Sequence, residues 1–128
     1  RIIPALKIGN FVIADRYVDS TTAYQGYGRN LSKKLIYEIN YNVTKTCMPE
    51  LTFFLDLETK EILKRKRIRN EISDRLEISG EKFYQHVYEG YHKIVDKNKK
   101  RIKRIDANQP IEKIAEKVWK IVRKTYNL

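Results

Sequence analysis

Asp15 and Arg16 place a carboxylate and a guanidinium side by side, directly after the apolar run Phe11 to Ala14. A carboxylate oxygen is a ligand that Mg²⁺ prefers, and the planar fork of an arginine matches two oxygens of a phosphate. Residues that follow a buried strand project into the ligand crevice of an open α/β sheet, so this pair predicts a site for metal-bound phosphate. The alternatives are that Asp15 only caps a turn and that Arg16 pairs with Asp19.

A polar segment with a central tyrosine follows this pair, from Ser20 to Gly26. Its hydroxyl and amide groups could line a nucleotide pocket beside the phosphate. Taken without other information, a polar loop around a packed tyrosine explains the same residues.

The string Asp15-Arg16-Tyr17, followed by Ser20-x-x-Ala23-Tyr24-Gln25-Gly26, resembles the thymidylate kinase family, a branch of the P-loop kinases. Further matches follow in the family's order along the whole chain. They are a strand from Leu51 to Asp56, an arginine-rich segment ending in Asp74-Arg75-Leu76-Glu77, and Asp106-Ala107-Asn108-Gln109-Pro110 before a final helix.

The resemblance implies an α/β fold, a P-loop NTPase-type parallel sheet with flanking helices. Residues 1–128 would form a single partial domain with a lid at about residues 65–77. No Gly-x-x-x-x-Gly-Lys-[Ser/Thr] loop occurs in the chain, so we expect it to be the C-terminal portion of the enzyme, without the first βα unit. In the family that first strand lies between the strands of Val12 and Phe54. We therefore expect impaired ATP binding and an incomplete sheet.

The resemblance also implies a reaction, the transfer of the γ-phosphate of ATP to dTMP, with Mg²⁺, in a cytoplasmic homodimer. Asp15 would hold the metal through water, with Asp56 as a weaker competitor, and Arg16 would orient the acceptor phosphate. Tyr37, Tyr41 or Trp119 could serve the dimer contact. The dTMP pocket implied by the family is formed by Arg16, Ser20, Thr21, Tyr24 and Gln25.

On the ATP side, the family implies that Arg65 stacks on adenine. Ala107, Asn108 and Gln109 would contact the base through their backbone, and they can equally form a plain strand-to-helix turn. Positive charge is needed around the transferred phosphoryl group, and the lid supplies three arginines that could reach it. These further catalytic candidates are Arg67, Arg69 and Arg75, although so short a basic run is more often a solvated helix face.

Charge and composition leave two rival functions open. The net charge of +11 is unusual, and a basic α/β module that binds nucleic acid could use Arg67, Lys100 and Arg104 on phosphates. Basic residues also recur along the last helix, which is typical of a solvated surface and makes nucleic acid the weaker hypothesis. Another P-loop nucleotide kinase would keep Asp15 and the lid, but the Tyr24-Gln25 pair argues against it.

The cysteine, the two histidines and the apolar runs bear on disulfide, metal and membrane sites. The single cysteine, Cys47, cannot form an intramolecular disulfide or a cysteine cluster for zinc. His86 and His92 stand six residues apart, which is not the spacing of a helical metal pair, so both are interpreted as surface or packing residues. No apolar run reaches the length that a membrane span needs.

The pattern of apolar residues predicts alternating strands and helices. We expect strands at Phe11 to Ala14, Leu51 to Leu57 and Arg101 to Asp106. Ser32 and Thr59 are predicted helix caps, and Gly26 and Gly28 are expected to break a helical turn. The buried stripes of the helices are predicted to be Leu35, Ile36, Ile39 and Val43; then Phe83, Val87, Tyr91, Ile94 and Val95; and finally Ile111, Ile114, Ala115, Val118 and Val122.

Overall fold

The computed structural model of the protein describes residues 1–69 and 77–128. Helices dominate the described residues, and a small sheet is formed by two strands, one from each half of the chain. The elements in order are α1 (Ile2–Lys7), α2 (Val18–Thr21), a π-helical segment (Thr22–Gly28), α3 (Lys33–Thr44), β1 (Thr52–Asp56), α4 (Thr59–Ile68), α5 (Glu77–Lys97), β2 (Ile102–Asp106) and α6 (Ile111–Tyr126).

The sheet consists of β1 and β2, which run parallel with Thr52 opposite Ile102 and Asp56 opposite Asp106. Parallel strands require a long crossover, which here contains α4 and α5. The β-prone run of β1 and the alternation of β2 were both predicted to be strands, and both predictions are confirmed. The described part of the chain is therefore a helical α/β unit with a short parallel sheet, as expected for an incomplete α/β fold.

The predicted strand at Phe11 to Ala14 is wrong. These residues are irregular and make no strand pairing with any described residue. Phe11 is 68% exposed and Ile13 is 95% exposed. An extended segment is stable as a strand only when a neighbour satisfies its backbone groups, and no described strand lies beside this one. The expectation of an incomplete sheet is thus confirmed at this position.

The core lies where the π-helical segment and the sheet pack on α5. Its buried members are Ala23, Val87, Ile94, Val95 and Ile102. The predicted inner stripe of α5 is confirmed, since its remaining members Phe83 and Tyr91 pack against this cluster. The core therefore ties the residues just after Arg16 to the long helix.

The inner face of α3 differs from the prediction. Only Ile36 of the predicted stripe is buried, whereas Leu35, Ile39 and Val43 are about half exposed or more. Ile36, Asn40 and Thr44 turn inward instead, at the i, i+4 spacing of one helix face. The apolar series Leu35, Ile39 and Val43 lies beside this inward face, with its side chains exposed.

Two helix ends have recognisable capping motifs, and the cap at Ser32 was predicted. α1 ends in a Schellman arrangement, with Gly9 at φ +82°, Gly9 N donating to Leu6 O and Asn10 N to Ala5 O. Ser32 caps α3, because its Oγ accepts from Leu35 N at 3.4 Å.

Three local predictions are wrong. Thr59 does not cap α4, since Glu58 holds the N-cap position and the buried Thr59 Oγ1 has no hydrogen-bond partner among the described residues. Gly26 and Gly28 lie inside the π-helical segment and do not break it. On α6, Ile111 is 74% exposed and Ala115 is also exposed, so only Ile114, Val118 and Val122 of its stripe are half-buried.

No helix in the described ranges is long and apolar enough to cross a membrane.

Candidate functional site

A pocket of about 490 Å³ lies between α2, the π-helical segment and α3. It gathers all five residues that the sequence assigned to an acceptor nucleotide. Its lining is Arg16, Tyr17, Val18, Ser20, Thr21, Tyr24, Gln25, Ile39, Asn40 and Val43. Apolar side chains from α3 thus form one wall, and hydroxyl, amide and guanidinium groups form the other.

Arg16 has an unusual backbone conformation at the edge of this pocket. Its φ is +68°, in the left-handed region that costs an L-residue roughly 1–2 kcal/mol. The guanidinium carbon lies 4.3 Å from the centroid of the Tyr24 ring, a cation–π distance. Non-glycine residues held in strained conformations cluster at functional sites. The sequence also allowed a purely structural ion pair between Arg16 and Asp19. That alternative is wrong, since Asp19 pairs with Arg101.

The π-helical segment positions the Tyr24 and Gln25 side chains at the pocket. The π-helix widens the turn here, as shown by the hydrogen bond from Arg29 N to Tyr24 O at 2.9 Å, five residues back. Such segments are rare and are often found at functional sites. The Tyr24 ring makes edge contacts with Phe83 and Tyr91, whose centroids lie 5.9 Å and 6.3 Å away. Tyr24 is therefore fixed by α5 on one side and covered by Arg16 on the other.

Polar contacts hold α2 and the start of the π-helical segment against α3 and α5. Asn40 Nδ2 donates to Val18 O at 3.3 Å and to Thr22 Oγ1 at 2.9 Å, joining α3 to the start of the pocket wall. The Ser20 and Tyr91 hydroxyls are 2.7 Å apart, joining the same wall to α5. The wall is thus connected to both helices that flank it.

Burial raises the pKa of the Tyr91 phenol above its ordinary value, against a smaller opposing effect of the hydrogen bond with Ser20. The folded protein therefore holds the phenol proton more tightly than the unfolded chain does, which stabilises the fold below about pH 10, the ordinary pKa of tyrosine. This stabilisation is lost as the pH rises through the higher pKa of the folded state.

Replacing Tyr91 with Phe is expected to lower the free energy of unfolding at neutral pH by about 0.5–1.5 kcal/mol, because Ser20 loses its partner. The difference from the wild type should shrink above about pH 10. Urea unfolding of both proteins between pH 7 and pH 11 measures this, with Tyr37→Phe as the control for removing an exposed phenol. A difference that grew with pH would contradict the assignment.

Tyr17, which also lines the pocket, contacts Cys47. Its hydroxyl lies 3.2 Å from the Cys47 sulfur, and that hydrogen bond, together with burial, raises the pKa of Tyr17. Cys47 is half-buried and behaves as a packing residue, as expected.

The two acidic candidates for a metal differ clearly. Asp15 is exposed next to Arg16, and no hydrogen bond or ion pair from the described residues engages its carboxylate. Asp56, by contrast, is 7% exposed and is bound by Arg104 Nε and by His92 Nε2, the latter at 3.2 Å. Asp56 therefore serves to fix α5 on the sheet, and of the two only Asp15 offers oxygens to a ligand.

The residues assigned to ATP lie outside the lining of this pocket. Arg65 Nε donates to Glu61 Oε1 at 3.0 Å on its own helix. Arg67 lies in the last turn of α4 and Arg69 is its C-cap, both with exposed side chains. Arg75 and most of the expected lid beyond Arg69 lie outside the described residues.

Ala107, Asn108 and Gln109 form the turn between β2 and α6. Asn108 N donates to Asp106 Oδ1 at 2.8 Å, and Ala107 N donates to Asp56 O at 2.8 Å. The plain strand-to-helix turn is therefore present. It lies at the carboxyl ends of both strands, where open α/β sheets bind ligands.

Sequence reasoning missed Asn40 and the pairing of Asp19 with Arg101. Asn40 follows Ile36 at the i, i+4 spacing of one helix face, which is a signal for an inward position. The neighbouring series of apolar residues gave a stronger signal and was chosen instead. The Asp19–Arg101 pair spans 82 residues, and no local pattern could reveal it. Among the described residues, no three His, Cys, Asp or Glu side chains come together in a way that could hold a metal on their own.

Comparison with known proteins identifies the family. The family model for thymidylate kinase matches residues 1–118. A thymidylate kinase of Oceanobacillus iheyensis is 40% identical over 128 residues, covering 99% of this chain and 57% of the relative. Those of Mycoplasma capricolum subsp. capricolum and Clostridium novyi are each 44% identical, covering 94% and 92% of this chain and 57% and 58% of the relatives. The chain thus spans less than three fifths of the curated relatives it matches, and it belongs to the thymidylate kinase family.

Proposed function

We propose that this chain carries the acceptor pocket and the lid of an enzyme that transfers the γ-phosphate of ATP to dTMP, giving dTDP and ADP. The observation that supports this most is the single pocket in which Arg16, Ser20, Thr21, Tyr24 and Gln25 meet. All relatives named above carry the name thymidylate kinase.

The proposed fold of the whole enzyme is a P-loop NTPase-type parallel sheet, of which residues 1–128 form a single partial domain. The P-loop and the first βα unit would come from the part of the relatives that the chain does not cover. The exposed segment from Phe11 to Ala14 supports this, because a strand inserted between it and β1 would give it a pairing partner and cover its apolar side chains.

Phosphoryl transfer needs positioning and charge stabilisation more than covalent chemistry from the protein. Arg16 would hold two oxygens of the dTMP phosphate in its planar fork and orient the attacking oxygen toward ATP. Ser20, Thr21 and Gln25 would hydrogen-bond the nucleotide, with Thr21 and Gln25 near the thymine edge. The fixed Tyr24 ring would crowd the sugar face and disfavour a ribose hydroxyl.

Asp15 fits a role in binding Mg²⁺ through water, because its carboxylate is exposed and unengaged by the described residues. Magnesium is usually held by one or two carboxylates together with substrate phosphates. When bound, the ion would neutralise charge on the phosphates that Arg16 and the lid also contact.

The remaining assignments concern ATP. Arg65 would stack on adenine, and the backbone of Ala107, Asn108 and Gln109 would contact its edge. Arg67, Arg69 and Arg75 would supply positive charge from a lid at about residues 65–77. Arg67 lies in the last turn of α4 and Arg69 is its C-cap, which supports a basic lid of the bacterial type.

We also propose that two copies associate through packed helices, with Tyr37, Tyr41 or Trp119 at the contact. These aromatic side chains are exposed by 48%, 67% and 56% of their surface. Aromatic residues are enriched at interfaces relative to the rest of the protein surface. Because its substrates are free nucleotides, we place the enzyme in the cytoplasm.

The proposed function is tested with a chimera in which this chain is joined to the part of the Oceanobacillus iheyensis relative that it does not cover. A coupled ADP-release assay with dTMP, dUMP and dCMP should show turnover that strongly favours dTMP, and the 128-residue chain alone should show none. Equal turnover of all three acceptors would refute the thymidylate assignment. Salt-sensitive binding of single-stranded DNA without response to dTMP would favour the nucleic-acid alternative.

A further inference from the structure

Arg101 joins the amino end of the sheet to the short helix that carries the pocket wall. Its Nη1 donates to Asp19 Oδ2 at 2.7 Å and its Nη2 donates to Asp19 Oδ1 at 2.8 Å. Nη1 also donates to Thr52 Oγ1 at 3.0 Å. The Arg101 and Asp19 side chains are only 14% and 16% exposed. Two parallel charge-assisted hydrogen bonds of this kind fix the relative orientation of the Arg101 and Asp19 side chains as well as their distance.

The backbone of Arg101 is held as firmly as its side chain. Arg101 N donates to Asn98 O at 3.0 Å, just beyond the end of α5, and Arg101 O accepts from Thr52 N at 3.0 Å, at the start of β1. The guanidinium is therefore attached to the junction of the long helix and the sheet. It can act as a fixed point for whatever it binds.

The element that Arg101 binds is a single short turn. α2 consists of the four residues Val18–Thr21, too few for an isolated helix to be stable, and it continues directly into the π-helical segment at Thr22. Besides this connection and the burial of Val18, three polar contacts hold it, namely Asp19 with Arg101, Ser20 with Tyr91, and Val18 O with Asn40. Of these three contacts, only the first is an ion pair.

We infer that Arg101 is a positioning residue for the acceptor pocket, which sets the place of Ser20 and Thr21 through Asp19 and so determines the affinity for dTMP. Arg101 does not line the pocket, and it lies at the amino ends of the strands, away from their ligand-binding edge. This inference rests on the proposed function.

The test uses the chimera and four variants, Arg101→Met, Arg101→Lys, Asp19→Asn and the double variant Asp19→Asn with Arg101→Met. Arg101→Met is expected to raise KM for dTMP about tenfold, because a displaced Ser20 and Thr21 would bind the nucleotide less well in the ground state and the transition state alike. KM for ATP and kcat at saturating dTMP should change less than about twofold. Arg101→Lys keeps the charge without the fork and should give an intermediate KM.

The double variant separates positioning through Asp19 from a general effect. If Arg101 acts through Asp19, the double variant should raise KM for dTMP no further than the more severe single change, which is non-additivity. Additive effects would overturn the inference. If Arg101→Met does not yield folded protein, Asp19→Asn and Arg101→Lys are measured instead. Asp19→Asn is nearly isosteric, and Arg101→Lys keeps the positive charge.

Lys99→Met is the matched control, since Lys99 lies in the same turn between α5 and β2. Its ion pair with Asp96, at 3.4 Å, is solvent-exposed, with both side chains about 70% exposed. It should leave both KM values unchanged. Equal increases of KM for dTMP and ATP in Arg101→Met would show a merely structural role and overturn the inference. Loss of dTMP selectivity in the unsubstituted chimera would refute the proposed function instead, so the two failures are distinguishable.

Discussion

Replacing Arg16 with Met is expected to lower kcat/KM for dTMP in the chimera by about 10²–10³-fold, the cost typical of removing one preorganised charge donor from a transition state. Arg16 is the pocket's guanidinium, and its strained backbone holds it over the Tyr24 ring. Arg16→Lys retains the charge but cannot grip two phosphate oxygens, so its loss should be smaller but still clear. Steady-state kinetics with dTMP as the varied substrate measures both.

Stability provides an independent readout for Arg16. Arg16→Gly removes the side chain but relieves the positive φ, which costs an L-residue roughly 1–2 kcal/mol. The stacking on Tyr24 that is lost is worth only about 0.5–1 kcal/mol at an exposed site. Arg16→Gly should therefore lose as much activity as Arg16→Met, yet be at least as resistant to urea as the wild type. A strongly destabilised Arg16→Gly would show that the arginine is structural.

Lys34→Met is the matched control for Arg16, because Lys34 is an exposed basic residue at the start of α3 and does not line the pocket. It should leave kcat/KM for dTMP unchanged. A loss in Lys34→Met as large as in Arg16→Met would mean that dTMP responds to the overall positive charge, and the specific assignment of Arg16 would be wrong.

Local chemistry explains which features were predictable from the sequence. The runs of β1 and β2, the stripe of α5 and the Ser32 cap depend on neighbouring residues, and all four are confirmed. The five pocket residues lie within ten positions of one another, so their meeting on one wall also follows from local order.

Features that depend on distant partners were not predictable. The apolar run from Phe11 to Ala14 indicates a strand, but a strand also needs a neighbour, which the described chain does not provide. On α3 the apolar series Leu35, Ile39, Val43 outweighed the inward series that contains Asn40, because hydrophobicity alone cannot distinguish a core face from the wall of an open pocket. The ion pair of Asp19 with Arg101 joins residues far apart in the sequence, and only the fold brings them together.

Gly90→Ala is the second change for which we expect a large effect, a loss of about 1–3 kcal/mol in the free energy of unfolding, as for overpacked cores. Gly90 is buried on α5, and an added Cβ would lie 2.6 Å from Tyr27 Cβ and 2.7 Å from Tyr27 Cγ. Gly28 meets α5 just as closely, since its Cβ would lie 2.7 Å from both Phe83 and Val87. The π-helical segment and α5 therefore approach each other through two glycines.

The consequence for function follows from what the π-helical segment carries. A methyl group at Gly90 must displace Tyr27, and with it the turn that fixes Tyr24 and Gln25 in the pocket, so KM for dTMP should rise together with the loss of stability. Gly80→Ala on the same helix is the matched control, because its added Cβ has no atom of the described residues within 4 Å. There the loss of glycine's backbone freedom should stabilise the protein by about 0.5–1 kcal/mol. Urea unfolding of both variants decides the matter, and equal stabilisation by the two alanines would contradict the close packing of α5 on the pocket wall.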